Sequence, residues 1–139
     1  MNVDKEWLPR WGWLLLGLFA MAIVANVVNV SILGPWGLPE EYYVVTVIAG
    51  MGPVLVYIGV WLDEERQHYW EHPRTRILGD LVFVFLGALI GSSIVFVGIA
   101  ETGLPRLVVD IAAMAGGFML GWGLFWWRNP EIYRQEAAT

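Results

Sequence analysis

Four apolar stretches alternate with short polar clusters along the chain, at roughly 11–33, 42–62, 77–100 and 107–127. Each supplies the run of about 20 apolar residues that a helix needs to cross a hydrocarbon core. Inside lipid a spanning segment must satisfy its own backbone hydrogen bonds, which favours helix at these lengths. The pattern predicts an all-α integral membrane protein, a four-helix transmembrane bundle occupying 1–139 as one domain. Between the second and third spans lies a polar linker at 63–76, and a polar tail follows at 128–139. The first stretch is too long for a typical signal-peptide core and lacks a clear small-residue cleavage site, so it is read as a retained span.

Charge orients this bundle. Lys5, Arg10, Arg66, Arg74, Arg76, Arg128 and Arg134 fall at one end, and only Arg106 falls at the other. The positive-inside rule then places both termini and the linker in the cytoplasm, in the plasma membrane. Trp11, Trp13, Trp61, Trp126, Trp127 and Tyr133 form an inner aromatic belt, with Trp36, Tyr42 and Tyr43 on the outer side. Short loops make consecutive spans antiparallel neighbours.

Composition agrees with the pattern and narrows the chemistry. Of 139 residues 58% are hydrophobic and 15% charged, which excludes a disordered chain. Cysteine is absent, so disulfides, iron-sulfur clusters and thiolate chemistry are excluded. A net charge of -5 argues against a nucleic-acid partner, which requires a basic surface. No phosphate loop, hydrolase elbow or paired carboxylates with a nearby base is present. No cofactor is implied.

Gly37-Leu38-Pro39 and Gly103-Leu104-Pro105 stand 66 positions apart, and the same offset superposes Leu15 on Leu81, Phe19 on Phe85, Ala22 on Ala88, Ala49-Gly50 on Ala115-Gly116, Trp61 on Trp127 and Glu65 on Glu131. Two readings stand: tandem helical hairpins of common origin, related by an axis along the membrane normal, or coincidence in a Gly- and Val-rich composition.

Several residues stand out within the spans. Gly87 and Gly91, and Ala113, Gly117 and Gly121, recur every four residues and suit close helix packing. Pro53 removes a helical hydrogen bond in the second span, which marks a kink or hinge. The polar residues Asn26, Asn29, Ser31, Thr46, Ser92, Ser93 and Asp110 all fall in the outer half, where they suggest an outward-facing polar pocket for a cation or proton. For Asp110 an ion pair with Arg106, one turn away, is the favoured reading. Asp80, four residues after Arg76, is read as an interfacial residue. In the linker, Glu64, His68 and His72 would form one stripe on a continuous helix, a weak candidate metal site. A solvated, salt-bridged extension of the second span is favoured there.

The functional expectation is a non-catalytic accessory or structural subunit whose partners are the lipid bilayer and either other copies of itself or a larger membrane complex. The alternatives are an oligomeric ion- or proton-coupled channel or transporter built on Asp110, and a metal-binding membrane protein.

Overall fold

The computed structural model describes residues 5–130, and among these every regular element is helical. The end of the tail, with Glu131, Tyr133 and Arg134 of the sequence reading, lies outside the described residues. Helix α1 spans Arg10–Val28, α2 Tyr43–Leu62, α3 Arg74–Ile99 and α4 Arg106–Arg128. A π-helical turn at Asn29–Leu33 prolongs α1, and a 3-10 turn at Glu40–Tyr42 leads into α2. With these extensions all four helices are long and apolar enough to cross a membrane, the shortest being 23 residues.

Each helix begins at a proline. Pro9, Pro39, Pro73 and Pro105 stand just before the first helical residues in extended conformation. The ring fixes φ near the helical value and brings no amide to leave unsatisfied. Their carbonyls accept the first-turn amides of Gly12, Tyr42, Arg76 and Val109 at 2.9 to 3.1 Å. This explains why α3 starts at Arg74, ahead of the hydropathy boundary near residue 77: Pro73 starts the helix whatever the polarity of Arg74-Thr75-Arg76. At the opposite end of the molecule the two hairpin turns hold Gly37 and Gly103 at φ of +116° and +84°, a region that L side chains enter only at a cost.

The helices do not share one common core. The α3–α4 interface is the most extensive, and α2 packs against both of these helices. Small residues set this geometry. A Cβ added to Gly91 would stand 2.5 Å from the Gly116 carbonyl oxygen, and one on Gly87 2.9 Å from the Gly121 Cα, so the two backbones touch. A Cβ on Gly117 would meet the Ala88 carbonyl at 2.8 Å, and Ala113 is fully buried. Helix α2 enters at Gly52, where a Cβ would lie 2.8 Å from that of Ala88, and continues unbroken through Pro53. Ile48, Val84 and Phe125 fill the remaining space.

Helix α1 packs chiefly against α2. Gly17 and Met21 meet Ile58 and Gly50, while Leu15, Leu16, Phe19, Ile23, Val27 and Val30 stay more than half exposed.

The linker departs from the expected continuation of the second span. Helix α2 stops at Leu62 because Asp63 turns extended, with its carboxylate accepting the Glu65 amide at 3.0 Å. The Gln67 amide then lies 3.0, 3.0 and 2.7 Å from the carbonyls of Val60, Trp61 and Asp63, covering acceptors that a helix terminus leaves open. The following 3-10 segment, Glu64–Glu71, folds back over the end of the core with a break at Arg66.

Candidate functional site

The strongest polar constellation sits where the linker, the start of α3 and the end of α4 converge. Asp80 lies six residues into α3, about 9 Å along its axis at 1.5 Å per residue, and its side chain is 1% exposed. The sequence suggests only a pairing with Arg76 one turn away; the structure adds burial inside the protein. The α3–α4 contact carries it inward, and four partners compensate its burial. Arg128 donates through Nε to Oδ1 at 2.5 Å, while Tyr69 Oη at 2.6 Å and Asn129 Nδ2 at 3.1 Å donate to Oδ2. Arg76 Nε approaches Oδ2 at 3.7 Å.

The partners also hold each other. Arg76 Nη2 donates to the Arg128 carbonyl at 2.8 Å and to Asn129 Oδ1 at 2.9 Å, which ties the last turn of α4 to the first of α3. The Arg128 guanidinium stacks 4.4 Å over Phe83. Burial and the hydrogen bond to the Asp80 carboxylate push the Tyr69 hydroxyl above its ordinary range, so it remains a donor. The void beside Asp80 measures about 10 Å³, at the lower limit for one water. A carboxylate so enclosed ties three chain segments together and leaves no space for a substrate.

The polar residues in the half of the bundle away from the linker are distributed over separate contacts. Asn29 is fully buried between α1 and α2, its Nδ2 3.1 Å from the Tyr43 carbonyl and 3.4 Å from Asn26 Oδ1. Ser92 and Ser93 turn back on their own helix, to the carbonyls of Ala88 and Leu89 at 2.6 Å. Ser31 does the same to Val27 at 2.5 Å. Asp110 pairs with Arg106 at 2.8 Å, and Arg106 also reaches the Glu41 carbonyl at 2.7 Å. Thr46 is half-buried on α2. Among the described residues no hydrogen bond joins the asparagine pair, the serines and Asp110 to one another.

In the linker the 3-10 geometry removes the single stripe that a continuous α-helix would give Glu64, His68 and His72. His72 Nδ1 lies 2.7 Å from the Tyr69 carbonyl oxygen, and the His68 ring Nε2 is buried without a hydrogen-bond partner. No group of three or more His, Asp or Glu side chains placed to hold a metal ion occurs among the described residues.

No family model, curated protein or solved structure matches this chain. Its chemistry therefore has to be read from its own geometry. Tyr69, Arg128 and Asn129 were missed as partners of Asp80 because they lie 11, 48 and 49 residues away. The one local signal was Arg76 a single turn before Asp80.

Proposed function

We propose that the protein is a polytopic membrane protein with both termini and the linker on the cytoplasmic side, and that it serves as a non-catalytic subunit assembling with itself or with a larger membrane complex. The observation that carries this reading is the state of α1. Of the most apolar 18 residues in each span, 11% are buried in α1, against 33% in α2 and α3. Asn26 is exposed within this apolar helix, held only by the 3.4 Å contact to Asn29. A polar amide facing lipid is costly, and polar side chains of this kind join membrane helices across an interface. In a parallel two-fold pair both copies of Asn26 stand at the same depth, and an amide complements an amide.

Internal satisfaction of the serines and of Asp110 further supports a structural role. The serine hydroxyls are spent on their own helix, and Asp110 is matched by Arg106. A transport pathway through these residues draws no comparable support.

Native mass spectrometry of the protein extracted gently from its membrane tests the reading. A homo-oligomer or stoichiometric larger partner is expected. Asn26→Leu should weaken the assembly about fivefold, the equivalent of about 1 kcal/mol for one interhelical hydrogen bond, and Asn26→Gln should retain it. A lone monomer in the native extract would overturn the proposal.

A further inference from the structure

A second feature of the basic end lies outside the Asp80 cluster. Between α1 and α4, along the linker-proximal half of α2, runs an open groove of about 420 Å³, within the size range of ligand sites. Leu55 and Gly59 stand one turn apart on one side of α2, about 6 Å along its axis at 1.5 Å per residue, and Asp63 lines the groove just past the end of the helix. Leu14 of α1 and Trp122 of α4 form the walls, and Arg66 joins Asp63 at the linker end. The floor is bare at Gly59, where an added Cβ would meet nothing within 4 Å.

Polarity changes along this groove in one direction. Its shaft is aliphatic and aromatic, and its end carries the Asp63 and Arg66 ion pair. The same end of the bundle carries the edge-to-face pair of Trp13 and Trp61, with centroids 5.4 Å apart, and Lys5 Nζ 2.5 Å from the Trp61 carbonyl oxygen. These are side chains that favour the boundary between hydrocarbon and headgroups.

The geometry points to a binding site for a single phospholipid with a zwitterionic ethanolamine headgroup, one acyl chain lying in the groove and the headgroup on Asp63 and Arg66. The inference rests on the membrane reading above. A groove parallel to spanning helices is parallel to the acyl chains beside them, and its apolar shaft with a charged end repeats the profile of such a lipid. The Arg66 guanidinium suits the phosphate, and the Asp63 carboxylate suits the ammonium group. A purely anionic headgroup would match only half of this pair.

The full chain reconstituted in phosphatidylcholine nanodiscs doped with either phosphatidylethanolamine or phosphatidylglycerol provides the test. Lipid retained after release into detergent is counted by native mass spectrometry. One phosphatidylethanolamine per chain is expected. Gly59→Phe, whose ring enters the groove, should lower its retention at least tenfold. Asp63→Asn, which keeps the cap on Glu65, and Arg66→Gln should each remove the preference for ethanolamine over choline. Exposed Trp122→Ala, which removes a wall, should weaken retention as well. Equal retention by wild type and Gly59→Phe would overturn the site, and so would a preference for phosphatidylglycerol. A retained protein chain displaced by Gly59→Phe would replace the lipid with a helix. Flotation separates the two levels of failure: a chain that floats with vesicles yet keeps no lipid loses only this site, and a chain that stays behind loses the membrane reading itself.

Discussion

Asp80 shows how one residue's role depends on what it meets. A buried carboxylate is costly to desolvate, and the cost is offset here by Arg128, Tyr69 and Asn129 at 2.5, 2.6 and 3.1 Å. Removing one partner of such a pair strands the other and typically costs 3–5 kcal/mol, roughly. Asp80→Ala should therefore lower the unfolding free energy by about 3 kcal/mol, read from tryptophan fluorescence during denaturant unfolding in micelles. The Asp80→Ala, Arg128→Ala double variant should lose clearly less than the sum of the two single losses. Strict additivity would mean that the contact contributes nothing as a pair. Only Arg76, one turn away, is visible as a partner in the sequence. Arg128 arrives from the far end of α4, and no spacing rule connects it to Asp80.

At the scale of elements, the small residues of α3 and α4 were legible as packing faces, since glycines and alanines every four residues share one side of a helix. Which helix each face meets was not legible, because the opposite sides are equally apolar. The structure brings Gly91 onto the Gly116 carbonyl, a backbone atom with little freedom to retreat. Gly91→Leu should push the helices apart and destabilise by about 3 kcal/mol, the upper part of the range for overpacking. Gly98→Leu on the same helix should be tolerated or mildly stabilising, because nothing lies within 4 Å of its Cβ position and leucine is the better helix former. Matching losses from the two variants would show that the close approach is not what holds α3 to α4. The linker illustrates the reverse case. Its charged residues read as more helix, yet Asp63 and Gln67 close the end of α2 through contacts that depend on the chain turning back.

On the scale of the whole molecule, the proposed orientation makes a topological prediction that the absence of cysteine renders clean to test. A single cysteine at Glu71, exposed in the linker, should react with a membrane-impermeant maleimide only from the cytoplasmic side. One at Glu40, exposed at the opposite end, should react only from outside. Exchange of the two patterns would invert the bundle, and labelling of both sites from both sides would deny insertion. The same view places α1 apart from the other three helices. It is the element with the most apolar surface left to cover, and Asn26 gives that surface a polar contact point.

Length, polarity and end charge are properties of the chain taken one residue at a time, and the sequence by itself determined them: four apolar helices, and six cationic residues, Lys5, Arg10, Arg66, Arg74, Arg76 and Arg128, gathered at the end that holds the linker. Tertiary structure alone decided which faces meet. It enclosed Asp80 in a buried network, set α1 on α2 outside the three-helix core, and dispersed the polar residues of the half away from the linker over separate contacts. The physical reason is common to all three. A helix surrounded by lipid is apolar toward neighbour and solvent alike, so the amphipathic signal that rotates a helix in a soluble protein is missing. Close packing of glycine against backbone and the pairing of buried charges then choose the arrangement.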